Sequence, residues 1–296
     1  MPTFHSKKDS LYRARKKTFS GLPSHRRDLV IPDTYQMTDS GHRFLIIDDG
    51  NENKILGFST DENLEHPCAA ETIYGDGTFY VTPTVFYQLY TLHAMIDNQM
   101  FPLVFLLLPD KRQVTYERAF QLVKDAAAQR GFQLLPNQIQ MDFEVASKNA
   151  VMSVFPGSTW KGCFFHFTQC VWRKAQQFGL QIDYVWLQTL ADMPQDRRCE
   201  QLADYVTTQW IEGDQAPPVW NHHDTEGPRT NNHLEGWHGR LKKMIAKAHP
   251  NIFELNRFLI GEQKKRMRSC WSSMPLVNAP LQRRRNTRTS RDDSAT

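Results

Sequence analysis

Two periodicities of apolar and polar positions alternate along the chain. RFLIIDD (43–49) and KILGFST (54–60) are rich in apolar and β-branched residues and flank the polar stretch DGNEN, which predicts two strands around a turn. Three longer apolar segments follow: ETIYGDGTFYV (71–81), FYQLYTLHAMI (86–96) and MFPLVFLLL (100–108). Gly, Pro and Asn bound them, and the simplest arrangement is a three-stranded antiparallel meander. The period then changes. TYERAFQLVKDAAAQRG (115–131) puts Tyr116, Ala119, Phe120 and Val123 on one helical face, with Thr115 placed to cap it and Gly131 to end it. QIQM (138–141) predicts a fourth strand, and 146–155 a short helix. TWKGCFFHF (159–167) predicts a fifth strand running into a helix, QCVWRKAQQFG, that stops at Gly179.

The element order is therefore β-β-β-α-β-α-β-α. A meander followed by α/β crossovers makes an α/β fold with a mixed sheet covered by helices, the ribonuclease H-like order. Residues 181–220 change character. LQTLADMPQDRRCEQLADYVTTQW reads as helical, with Leu187, Leu190 and Leu202 as apolar anchors. HHDTEGP (222–228) reads as a loop. The next helix spans 231–248, with Leu234, Trp237, Leu241, Ile245 and Ala248 as its buried stripe, and another spans 252–268. From about Ser272 the chain is rich in Pro, Arg and Ser, and little order is expected. The domain organisation read from this is a basic, disordered segment 1–42, an ordered domain 43–268 carrying an all-helical insertion 181–228, and an Arg/Ser-rich disordered tail 269–296. No internal repeat is visible.

Composition changes this picture little: 296 residues, 40% hydrophobic and 23% charged, describe an ordinary folded protein with a sizeable core. Charge says more by its distribution than by its total of +4. Lys7, Lys8, Arg13, Arg15, Lys16, Lys17, Arg26 and Arg27 crowd the N-terminal stretch, and Arg283, Arg284, Arg285, Arg288 and Arg291 the C-terminal one. Such ends suit a polyanion partner or a solvated tail. Five cysteines without regular spacing argue for a reducing compartment rather than a disulfide framework. No apolar leader opens the sequence, and the run 101–108 is too short to span a bilayer. The expectation is a soluble intracellular protein without a membrane partner.

Three acids fall where a catalytic sheet would place them. Asp76 lies in GDGT on the first meander strand, between glycines that would let a ligand approach the backbone. Asp142 ends the fourth strand. Glu235 lies beside the buried stripe of the helix TNNHLEGWHGRLKKMI, with His238, Gly239 and Lys242 on the same adjoining face. In this order the first and fourth strands are central neighbours, so Asp76 and Asp142 would lie side by side. Like charges that close call for a counter-charge, and Mg²⁺ held by carboxylates, water and substrate phosphate supplies one. Two such ions can activate a water or 3′-hydroxyl and stabilise the leaving oxygen of a phosphodiester. Against this, a lone Asp between glycines is usually a turn or bulge residue, and a lone helix Glu is usually solvated. Glu144 shares a strand face with Asp142, as a neighbour or alternative ligand, or else opens the next helix, where an acid favours the dipole.

Six ordered segments carry a family resemblance: GDGTFYVTP (75–83), FYQLYTLHA (86–94), PLVFLLLPDKRQVTY (102–116), QMDFEVASKNAVMSVFP (140–156), GCFFHFTQCVWRKAQQFGL (162–180) and TNNHLEGWHGRLKK (230–243). In these the chain resembles the transposase domain of Mutator-like elements, the MULE domain, over roughly 43–268. The resemblance implies a ribonuclease H-like fold with a helical insertion, for which 181–228 is the matching stretch. It implies a DDE triad, here Asp76, Asp142 and Glu235, using Mg²⁺ or Mn²⁺, as two ions, to cleave element ends and transfer strands into target DNA. Double-stranded DNA is then the partner, a homo-oligomer the working form, and the nucleus the location in a eukaryote. The family's Cys-x-x-His signature is matched by Cys163 and His166. On a strand those two would face opposite ways, and the further zinc ligands, His222 and His223, would come from a loop. Cys163 therefore reads as core, and His166 as a neighbour of the active site or of a DNA phosphate. His238 and Lys242 are further DNA-binding or neighbouring candidates, and Asn231 and Asn232 suit a helix cap. Related proteins often carry a zinc-binding DNA-recognition module ahead of this domain. Residues 1–70 hold only Cys68, so end recognition is expected to be weak or to come from a separate protein. The alternative to an enzyme is a decayed or domesticated derivative that binds DNA without cutting it.

Overall fold

The computed structural model describes residues 23–180, 196–214, 216–222, 228–230 and 232–273. Seven strands form one sheet: β1 (Leu45–Asp49), β2 (Ile55–Phe58), β3 (Thr72–Thr78), β4 (Gln88–Ile96), β5 (Gln99–Leu108), β6 (Gln138–Met141) and β7 (Thr159–Gly162). Their spatial order is β1-β2-β5-β4-β3-β6-β7. The meander β3-β4-β5 is antiparallel, as its sequence predicts, and β6 joins β3 in parallel, followed by β7 in parallel with β6. The hairpin β1-β2 belongs to the same sheet, pairing β2 against β5. Asp97 and Asn98 make the tight β4–β5 turn with φ of 49° and 61°, the left-handed conformations a two-residue hairpin needs.

The run 101–108 is nearly continuously apolar because both faces of its strand are buried. Val104, Leu106 and Leu108 point into one core with Tyr90, Leu92, Ile139 and Trp160. Phe105 and Leu107 point into the other with Leu56, Phe58 and Leu89. Pro102 is tolerated in β5 because it sits where the register with β4 shifts. Helices cover both faces. On the first lie α1 (Asp61–Ala69), α2 (Gln113–Ala128) and α3 (Val145–Val154), through Leu64, Tyr116, Phe120, Val123 and Val151. On the second lies α6 (Asn232–Ile245), through Trp237, Leu241 and Ile245. The remaining long helices are α4 (Phe164–Gln177), α5 (Arg197–Val206) and α7 (Ile252–Ser273). The main body comprises 1–260 and a second unit begins at Gly261.

Several elements differ from the sequence reading. Leu29 and Ile31, assigned to the N-terminal segment, are buried in the second core. Helix α2 starts at Gln113, ahead of the expected Thr115 cap. Thr115 lies inside the helix and donates its hydroxyl to Asp110 at 2.6 Å, and Asp110 also accepts the N–H of Arg112, the residue preceding α2, at 2.9 Å. Strand β7 stops at Gly162, and CFFHF turns helical at once, with Cys163 as the residue preceding α4. Helix α7 runs to Ser273, beyond the expected end at 268. Of the expected insertion, α5 and Leu202 are observed, whereas Leu187, Leu190 and most of 222–228 lie outside the described residues.

Candidate active site

The parallel pairing of β3 with β6 sets the level of the two aspartates. Thr72 pairs with Gln138, Ile73 with Ile139 and Tyr74 with Gln140, and the same offset brings Asp142, just past the end of β6, level with Asp76. Both line a cleft together with Gly75, Gly77, Phe79, Lys111 and Glu144. Asp76 is almost wholly buried and accepts the Gly77 N–H at 2.7 Å. The glycines around it line the cleft and also make room for side chains of β4. A Cβ on Gly75 would sit 2.6 Å from the Tyr90 hydroxyl, and one on Gly77 the same distance from Gln88 Oε1.

Helix α6 is pinned to the sheet by its apolar stripe, and the adjoining face delivers Glu235 and His238 to the aspartates. His238 Nδ1 lies 3.1 Å from Asp76 Oδ2, and its Nε2 lies 3.4 Å from the Thr91 hydroxyl. Thr91 pairs with Asp76 across β3–β4 and also contacts His93 Nε2 at 2.9 Å. Burial, with His238 beside it, holds His93 well below the usual imidazole range, so it is neutral. His238 is thus an inward-facing partner of Asp76, with little surface to offer DNA.

His166 holds the other two acids. Its Nδ1 is 2.8 Å from Asp142 Oδ1 and its Nε2 3.2 Å from Glu235 Oε1. Burial opposes its charge, but the Asp142 carboxylate and the Cys163 side chain outweigh that and push its pKa up to about 11. Burial raises the Glu235 carboxyl; His166 opposes this, and the charges of Asp76 and Asp142 reinforce it. The contact geometry corrects the strand-based expectation for Cys163 and His166. Position i+3 from the residue preceding a helix falls on the same side of it, so Cys163 lies beside His166, which contacts Asp142. Cys163 is fully buried, as expected of a core residue.

The other candidates divide. Glu144 is the residue preceding α3, and it is held by the Tyr116 hydroxyl at 3.2 Å and Lys111 at 3.4 Å. It therefore matches the helix-start reading. Lys242 is exposed, its ammonium 4.4 Å from the centre of the Tyr80 ring. His222 turns its Nε2 to the Gly162 carbonyl at 2.9 Å, while His223 and Asn231 lie outside the described residues. Asn232 is within α6.

Residues 72–170 match the family model of the MULE transposase domain. The MULE resemblance read from the sequence motifs therefore stands for this stretch. Asp76, Asp142, Glu144, Cys163 and His166 lie inside the MULE match, and Glu235 lies beyond it. No curated protein matches the chain. No helix among the described residues is long and apolar enough to cross a membrane.

Asp76 and Asp142 line the cleft and Glu235 reaches Asp142 through His166; carboxylate oxygens are the donor type that a hard divalent cation takes. Among the described residues, Asp142 Oδ1 is enclosed and has His166 Nδ1 as its close polar neighbour, at 2.8 Å. Among the described residues no group of three or more His, Cys, Asp or Glu side chains is arranged to hold a metal ion. The imidazole of His166 stands in the gap between two of the carboxylates instead, and a cation binding there would have to displace it.

Proposed function

We propose that the chain is the catalytic core of a DDE-type transposase, built on a ribonuclease H-like sheet, that cleaves DNA strands at element ends and transfers them to a target. The observation carrying this reading is the level placement of Asp76 in β3 and Asp142 just past the end of its parallel neighbour β6, with Glu235 joined to Asp142 through His166. The MULE match agrees with it.

Asp76, Asp142 and Glu235 are the residues that would hold Mg²⁺ or Mn²⁺. Bound there, divalent cations supply the positive charge that eases formation of negative charge on the attacking and leaving oxygens of a phosphodiester. The protein's own part is positional. Gly77 N–H and His238 fix Asp76 from two sides. The stripe Leu234, Trp237, Leu241 and Ile245 sets the height of Glu235 over the sheet. His166 holds Asp142 and Glu235 together when no cation does.

The test is incubation of the purified chain with supercoiled plasmid and labelled duplex in Mg²⁺, Mn²⁺ or EDTA, beside Asp142→Ala. Metal-dependent nicking or joining that disappears in the variant supports the enzyme. Metal-dependent activity of equal strength in both proteins would rule out Asp142 as a catalytic ligand. Salt-sensitive DNA binding with no cleavage under any metal would favour a DNA-binding derivative.

A further inference from the structure

The loop between β3 and β4, FYVTPTVFY (79–87), exposes three aromatic side chains, of which Phe79 lines the carboxylate cleft. Val81 and Phe86 are buried, whereas Phe79, Tyr80 and Tyr87 are among the exposed large apolar residues. The loop is held in place. The Thr82 hydroxyl donates to the Thr78 carbonyl at 2.8 Å and accepts the Leu89 N–H at 2.9 Å. His249 donates its backbone N–H to the Tyr80 carbonyl at 2.8 Å, and its Nδ1 lies 2.9 Å from the Thr82 carbonyl. The Tyr87 N–H reaches the Leu108 carbonyl at 2.9 Å. A loop fixed this firmly, with inward positions already filled, keeps its outward rings in water at a standing cost.

Phe79 and Tyr87 meet edge to face, with centroids 5.6 Å apart and planes at 76°. The Lys111 ammonium lies 4.7 Å from the centre of the Phe79 ring, and Lys242 lies over Tyr80. Lys111 also contacts Glu144 at 3.4 Å. Phe79, Lys111, Asp76 and Asp142 line the same cleft. Exposed rings flanked by cations combine a stacking surface with a phosphate contact, the pairing used to hold unpaired nucleotides.

We propose that Phe79 and Tyr87, with Lys111 and Lys242, form a platform for an unpaired nucleotide of the DNA strand whose phosphodiester enters the carboxylate cleft. This rests on the DNA-processing reading above and adds to it a requirement for local strand opening. A base inside a duplex offers its face to its neighbours, so only an extruded or single-stranded base can lie on these rings. The lysines supply the charge that a purely apolar protein partner would not need.

The experiment uses the full chain and three fluorescein-labelled DNAs of one sequence: blunt duplex, duplex with a short internal unpaired stretch, and single strand. A companion set carries 2-aminopurine in the unpaired stretch, whose emission falls on stacking. The proteins are wild type, Phe79→Ala/Tyr87→Ala and Phe79→Trp/Tyr87→Trp, with circular dichroism to confirm folding. Stacking on an aromatic ring is worth roughly tenfold or more in affinity per base. The expected result is quenching by wild type, and about tenfold weaker binding of both unpaired DNAs by the alanine variant, with quenching lost. Duplex affinity should hold, and the tryptophan variant should restore both signals. Unchanged quenching and affinity in a folded alanine variant would overturn the platform while leaving the DNA-processing reading intact. Wild-type protein that binds none of the three DNAs would overturn both. Equal loss on all three DNAs would also refute it, since a general phosphate surface does not distinguish unpaired bases.

Discussion

His166→Ala tests the link between Asp142 and Glu235. In the metal-free protein the imidazole sits 2.8 Å from one carboxylate and 3.2 Å from the other. With its pKa pushed up to about 11 it is a cation at neutral pH. Removing it deletes two ion contacts and leaves two carboxylates facing each other. The carboxylates are 41% and 37% exposed, so solvent screens both contacts and the full pKa displacement does not translate into stability. Contacts of this exposure contribute up to about 1 kcal/mol each, which puts the loss at about 1–2 kcal/mol. For a body of this size that lowers Tm by roughly 3–6 °C. The pH dependence has a definite sign. A histidine titrates near 6.5 when unfolded and here near 11 when folded, so its contribution is complete below about 6.5 and fades as pH rises toward 11. Thermal melts of wild type and His166→Ala in EDTA should therefore differ most near pH 6 and converge toward pH 10. Mn²⁺ should recover more of the variant's Tm than it adds to wild type, because the gap is already vacated. A Tm difference that stays constant across this pH range, or is absent throughout, would refute the assignment of His166 as the cation between the acids.

Two substitutions probe the scaffold around the site. Leu241→Ala removes a buried anchor of α6 and should cost about 2–5 kcal/mol in chemical denaturation; because α6 also carries Glu235 and His238, the DNA cleavage proposed above should fall with it per folded molecule, whereas cleavage that survives a loosened helix would argue against a role for Glu235. Gly162→Ala places a Cβ 2.2 Å from the Phe143 ring, which packs edge-on against Trp160 and Trp210, so it should destabilise by about 1–3 kcal/mol and shift tryptophan emission; a wild-type midpoint would show that Phe143 has room to retreat.

The sheet was legible because its central strands are buried on both sides. That burial forces near-continuous apolar runs, and runs bounded by Gly, Pro and Asn have few alternatives. The level of Asp142 with Asp76 followed from the strand order alone. What escaped was local. DENLEHPCA forms α1 although its apolar positions are sparse and Pro67 lies inside; the helix rests on the Thr60 cap and the single fully buried anchor Leu64. Gly75 and Gly77 carry a signal of close approach, but sequence does not say that the approaching groups are Tyr90 and Gln88.

The boundary at Gly162 had the largest chemical consequence. CFFHF is apolar and aromatic, and so short a run fits a strand or a helix equally well. The periodicity that decides lies downstream, where Phe167, Val171 and Ala175 recur at helical spacing. Extending the strand through His166 sends that side chain away from Cys163 and leaves the pair without a shared task. Ending the strand at Gly162 puts both at the start of α4, where β6 delivers Asp142, and the same imidazole then reaches Glu235. The Cys-x-x-His pair therefore sits at the junction of a strand and a helix. Its spacing is that of a first helical turn, and its position is fixed by the parallel neighbour that ends in Asp142. On this geometry a substitution that lengthened β7 by one residue would rotate His166 out of the site as surely as replacing it.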